Sequence, residues 1–238
     1  MRRHTQLAAA ALYPPIGAEP TTVPDRAGGN DGTNNGAKVA LVDGVTGLEF
    51  DSSQEQFVRA QIEGVLTGYP IMMEAEAILS RVTGATQTIF TINPQGPFDQ
   101  YLGFAVVDGQ VRFLNRSSSN NAPDDLGSVS QGDRVFISAA YYSEDDRDYF
   151  IDGIQVGSGD SPVAFPDLSD MQALIGTLRF GSTTSFLDSV CRQARLWDIS
   201  GRTKSQVEQQ INDNLFDIMQ GNEPGLVGYW PLQYGAHQ

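Results

Sequence analysis

From Lys38 onward the chain is a succession of short apolar runs, each cut off by turn residues. The runs predict strands over Lys38–Val42, Gly47–Phe50, Gln56–Gln61, Ile71–Leu79, Thr86–Ile92 and Tyr101–Val107. Further strands are predicted over Gln110–Asn115, Arg134–Tyr142, Tyr149–Ile151, Ile154–Val156, Leu178–Phe180 and Val190–Trp197. Asp108-Gly109 and Asp152-Gly153 each sit between two such runs. Asp-Gly tolerates the positive φ values of a type I′ turn, so each predicts a tight hairpin. Many short strands, hairpins and a single late helix predict an all-β fold, a two-sheet antiparallel sandwich.

The helix is signalled near the C-terminus. Thr203 with Gln206 three residues on forms a capping box, in which each side chain satisfies an otherwise orphan N–H. Val207, Ile211, Leu215 and Ile218 follow at helical spacing as one apolar stripe. Gly221 is expected to stop the helix and Pro224 to prevent its resuming. Ahead of it, Val190, Ala194, Leu196 and Trp197 mark the last predicted core strand. Trp197 and Trp230 are expected to pack beneath the helix.

This order of strand, capped helix and Glu-Pro-Gly-Leu-Val-Gly-Tyr-Trp-Pro-Leu (223–232) resembles the C-terminal end of laminin-G-like, concanavalin-A-type jelly rolls. The resemblance extends back over roughly residues 41–235. Leu48, Phe50, Asp51, Phe57 and Val58 are similar to the family's opening strand and turn, and Gly132–Ser158 to its central strand and hairpin. Arg134 stands where the family often carries a tryptophan. The resemblance implies a jelly-roll body over 41–238 with one short C-terminal helix. It also implies the work done by such modules: lectins, adhesion domains and exposed decorations of larger assemblies.

At 238 residues the chain holds one large β domain. A body of this size buries roughly 70–75% of its unfolded surface and needs no disulfide or metal to stabilise it. Cys191 is the sole cysteine and is expected in the core. His4 and His237 lie at the extreme ends, which argues against a His-based zinc or Ser-His site. The net charge is −14, with Lys38 and Lys204 the only lysines. Such a surface repels phosphate backbones and anionic membranes, so nucleic acid is excluded as a partner. No run of about eighteen apolar residues is present for membrane insertion.

Residues 1–40 differ from the body. They are rich in Pro, Gly, Asn, Thr and Ala without sustained periodicity, and read as an extended N-terminal arm that builds no core of its own. The apolar stretch after Arg2 and Arg3 is short and weakly hydrophobic for a secretory signal. Arg2, Arg3, Tyr13 and Arg26 are its expected docking residues, and the body is expected to stay folded without it.

Three groups could carry chemistry. Glu74 and Glu76 alternate with alanines on a predicted strand, which places both carboxylates on one face, roughly 6.5–7 Å apart. Such a pair can act as acid and nucleophile in glycoside hydrolysis. The resembled glucanases carry a third acid where this chain has Ile78 and Leu79, so no catalytic residue is assigned. Glu144, Asp145 and Asp146 offer hard oxygen ligands at a hairpin tip, a candidate calcium site, with Asp51 and Asp43-Gly44 as lesser ones. Asn115, Asn120, Asn121 and Asp124 supply sugar-holding side chains, with Tyr141 and Tyr142 as stacking surfaces.

The chain is therefore expected to be a non-enzymatic jelly roll displayed on a larger assembly such as a bacteriophage particle. Its arm, residues 1–40, would dock on other protein subunits. The alternative is an extracellular carbohydrate-binding module, calcium-assisted and gripping a surface glycan. Glycoside hydrolysis through Glu74 and Glu76 comes third.

Overall fold

The computed structural model describes residues 14–96, 99–118, 120–180 and 183–234. Arg2, Arg3, His4, Tyr13 and His237 lie outside the described residues. In chain order the first strands are β1 (Thr22–Val23), β2 (Gly32–Asn35), β3 (Lys38–Val42), β4 (Val45–Phe50), β5 (Phe57–Gln61) and β6 (Ile71–Ile78). Next come β7 (Gln87–Pro94), β8 (Tyr101–Val107), β9 (Gln110–Arg116), β10 (Asp124–Ser128), β11 (Arg134–Ser143) and β12 (Asp146–Ile151). The chain ends with β13 (Ile154–Gly159), β14 (Met171–Ile175), β15 (Thr177–Phe180), β16 (Thr183–Phe186), β17 (Ser189–Asp198), helix α1 (Lys204–Asp213) and β18 (Leu226–Pro231).

Two antiparallel sheets result. One runs β1-β2-β5-β14-β7-β8-β9-β10 and the other β13-β12-β11-β6-β17-β4-β3. The long strand β17 pairs with β4 through its first residues and with β18 through its last. A separate hairpin, β15–β16, lies against β7. The all-β, two-sheet sandwich with one C-terminal helix is thus the observed fold. Among the described residues no helix is long and apolar enough to cross a membrane.

Period-two burial explains the sandwich. On β6, Ile71, Met73, Ala75 and Ala77 enter the main core between the sheets, while Met72 turns to a second cluster. That cluster holds Trp197, Val207, Ile211, Met219 and Tyr229, and it seats α1 on the outer face of the second sheet. Trp230 instead lies in the main core, with Phe90 edge-on at 6.2 Å. Asp108-Gly109 and Asp152-Gly153 have positive φ at both residues and turn the predicted hairpins; Asp43-Gly44 does the same between β3 and β4.

The capping box forms as the sequence predicts, with Thr203 and Gln206 each accepting the other's backbone N–H. The helix stops early, however, at Asp213, so Leu215 and Ile218 lie beyond it. The cause is Arg195. Its guanidinium is fully buried and takes the carbonyls of Asn214 and Asp217, acceptors that a longer helix would have kept for itself.

The arm's described part is woven into both sheets. β1 and β2 extend the first sheet beside β5, and β3 pairs with β4 in the second. Val23, Ala37 and Val39 are buried in the main core. Asp25 is the clasp: its carboxylate accepts the N–H groups of Ala27, Gly28, Asn30 and Tyr229, joining the arm to β18.

Candidate functional site

Glu74 and Glu76 share one face of β6, but that face is closed. Both are fully buried. Glu76 Oε1 accepts from Arg134 Nε at 2.6 Å and from Arg192 Nη1, and Oε2 from Gln193 Nε2 at 2.7 Å. Glu74 Oε2 accepts from Trp197 Nε1 at 2.7 Å and pairs with Arg195 Nη1 at 3.3 Å. Phe216 lies under Arg134 and Phe136 under Arg195, so aromatic rings seal the pairs. Burial raises the Glu74 carboxyl above its usual range, with Arg195 and Trp197 opposing. The pair is spent on holding residues 214–217 over the sheet and presents no catalytic face to a substrate. Cys191 is buried beside it, its thiol pushed up to about 12 chiefly by desolvation.

The acidic loop does not gather its carboxylates, which corrects the calcium expectation. Asp146 Oδ1 pairs with Lys204 Nζ on α1 at 2.5 Å, Asp145 accepts from Ser143 Oγ at 2.8 Å, and Glu144 is exposed. Among the described residues no three acidic, His or Cys side chains are placed to hold a metal.

The expected sugar-binding set divides. Asn115 and Tyr141 are buried between the sheets rather than displayed on a surface. Asn115 Nδ2 donates to Tyr149 OH at 2.7 Å, and that hydroxyl donates to Asp124 Oδ2 at 2.8 Å and accepts from Arg147 Nε at 3.0 Å. Arg147 and Tyr149, both fully buried, are the centre of this network and were not signalled by the sequence. Asn120 is used to bond the Pro162 carbonyl at 2.6 Å, and Asn121 bridges to Arg116 through the backbone. Tyr142 faces the other way, under Lys204 at 4.7 Å. The network therefore closes one end of the sandwich.

An open site lies at the opposite flank, where the arm meets β4. It is a cleft of about 650 Å³. Glu49 and Asp51 at the end of β4, Glu19 in the arm and Asp188 before β17 supply four carboxylates. Asn35, Gln54 and Gln56 supply amides, and Lys38 the positive charge. Its geometry is set locally. Asp51 caps the short turn Ser52–Gln54, accepting from Ser53 N at 2.8 Å and Ser53 Oγ at 2.6 Å, bonds that hold its carboxyl below the usual range. Gln56 Oε1 accepts the Asp51 N–H at 2.8 Å, and Asn35 Nδ2 reaches the Glu55 carbonyl at 3.1 Å. Lys38 is matched by Glu19 at 3.4 Å, and Asp188 by Arg81 at 3.5 Å. Glu49 makes no ion pair among the described residues, Gln54 Nε2 donates to Ser53 Oγ at 3.3 Å, and both side chains are exposed. The readable signal was Asn35-Gly36, a turn dipeptide inside a segment that otherwise lacks periodicity.

No protein-family model and no curated protein matches the sequence. Solved structures do match in fold. Domain 4 of AbnA, a GH43 extracellular arabinanase from Geobacillus stearothermophilus in complex with arabinotriose, is 13% identical with a TM-score of 0.59, over 83% of this chain and 100% of that one. The enzymatically active domain of bacteriophage CBA120 tailspike protein 2 is 11% identical with a TM-score of 0.58, over 93% of this chain and 34% of that one. Trypanosoma rangeli sialidase in complex with sialic acid is 15% identical with a TM-score of 0.58, over 87% and 33%. The chain thus spans about a third of the tailspike and sialidase chains. These likenesses overturn the expectation that the chain is not an enzyme, because glycoside hydrolases are among the proteins that carry its fold. They assign no catalytic residue here. By topology and by these likenesses, the chain has a two-sheet antiparallel jelly-roll fold.

Proposed function

We propose that this jelly roll binds carbohydrate, and that the cleft between the arm and β4 receives a neutral oligosaccharide. The cleft carries the reading. Carboxylates and amides present paired acceptors and donors that match vicinal sugar hydroxyls, and 650 Å³ lies within the range of about 300–1,000 Å³ typical of small-molecule sites. Four carboxylates against one lysine disfavour an anionic glycan there. The likeness to an arabinanase domain crystallised with arabinotriose supports the ligand class. Calorimetric titration with arabinotriose and other neutral oligosaccharides tests it. Glu49→Ala and Gln54→Ala, both at exposed positions, are expected to weaken binding about tenfold each with an unchanged melting temperature. Wild-type affinity in both variants, or no response to any neutral sugar, sinks the reading.

A second reading, display on a particle or cell surface through contacts with other subunits, draws on the tailspike likeness over 93% of this chain. The described arm is committed to the sheets, so the test is removal of residues 1–13 alone. Undiminished incorporation into particles would dismiss it.

A further inference from the structure

A second cavity, of about 420 Å³, opens between the arm and the end of the last strand, away from the cleft. Pro14, Pro20, Pro24 and Pro231 line it, so much of its wall is apolar and without backbone N–H groups. The polar side chains lining it, Thr22, Arg26, Gln233 and Tyr234, each carry a donor. Gln233 and Tyr234 are 9% and 8% exposed, and Gln233 Nε2 and Tyr234 OH have no hydrogen-bond partner among the described residues. Arg26 completes the lining and makes no ion pair among the described residues. Its neighbour Asp25 is turned away, with both oxygens occupied by backbone N–H groups.

The charge is the telling feature. In a chain of net charge −14, no carboxylate among the described residues lines this cavity, and the one charged group among them that does is a guanidinium. Buried donors without acceptors carry an uncompensated desolvation cost that an acceptor-rich ligand would remove. A carboxylate accepts from a guanidinium, an amide and a phenol together, in charge-assisted bonds. Proline rings and the Tyr234 ring suit the C–H face of a pyranose. We infer that this cavity binds an acidic monosaccharide of the uronate class, its carboxylate held by Arg26, Gln233 and Tyr234. The sugar ring rests on the carbohydrate reading above, whereas the carboxylate rests on the cavity's own donors.

Titration of the full chain with glucuronate, glucose and benzoate separates the two. Glucuronate is expected to bind at least tenfold more tightly than glucose. Arg26→Met and Tyr234→Phe are each expected to weaken glucuronate about tenfold while leaving neutral-oligosaccharide binding at the cleft intact. Tyr234→Phe removes one oxygen and keeps the ring, so it serves where a larger change would disturb folding. Equal affinity for glucuronate and glucose, or glucuronate binding untouched by both variants, overturns the inference. Arg26-dependent binding of benzoate without glucuronate overturns the sugar assignment. Loss of neutral-sugar binding alone overturns only the cleft.

Discussion

Glu74 has one oxygen committed to Trp197 and Arg195, and the other, Oε1, is buried with no hydrogen bond within geometric reach among the described residues. A carboxylate in that position feels desolvation more than attraction, and its pKa rises from the ordinary 4.5. The sign of the consequence is fixed. The folded chain takes up this proton more readily than the unfolded chain, so the group's contribution is fully present below 4.5 and is lost as pH rises through the raised folded value. Glu74→Gln removes the titration while keeping the shape. The stability of wild type relative to this variant is therefore expected to fall as pH increases above 4.5, read by urea unfolding of both proteins at a series of pH values. Groups with lowered pKa, such as Asp125 beside Arg112, lose stability toward acid in both proteins and cancel in the difference. A difference that stays flat with pH would show that Glu74 titrates alike in the folded and unfolded chains.

At the scale of elements, what the sequence made legible was whatever local chemistry decides. The two predicted Asp-Gly hairpins and the Thr203–Gln206 box need only residues that touch each other along the chain, and all form. The helix end was misread because its terminator is remote: Arg195, on β17, claims the carbonyls that helical spacing alone would leave inside the helix. The same holds for the sites. Glu74 and Glu76 read as a carboxylate pair available for catalysis because strand spacing fixes a face and not what covers it. The cleft was hidden because Glu19, Asp51 and Asp188 are distant in sequence and meet only after the arm joins the sheets. Gly221 carries a related lesson. Sequence assigns it to helix termination, yet it lies well past the helix at φ +98°, where any Cβ would collide with the Arg26 carbonyl. Gly221→Ala is expected to cost about 1–3 kcal/mol from backbone strain alone, before the arm is displaced. Thermal unfolding checks it, and an unchanged midpoint would mean that the arm gives way freely.

For the whole molecule, the decisive feature is that residues 14–40 complete the sandwich. They add two strands to one sheet and one to the other, and bury Val23, Ala37 and Val39. They also satisfy β18, whose Tyr229 N–H and carbonyl bond Asp25 and the Arg26 N–H, and whose Trp230 Nε1 donates to the Asn30 carbonyl at 3.0 Å. Burying one valine is worth about 1.5–3 kcal/mol, and each polar group left unpaired inside costs about 1–3 kcal/mol. A domain has only about 5–15 kcal/mol of net stability to lose. A chain beginning at Leu41 would forfeit all of these at once, expose β5 as a sheet edge and remove Glu19, Asn35 and Lys38 from the cleft. It is expected to lose cooperative urea unfolding, to bind a hydrophobic dye and to bind no sugar at the cleft. Should it instead unfold cooperatively at the wild-type midpoint, the arm is an appendage, and the cleft becomes a junction of separable parts rather than a preorganised site.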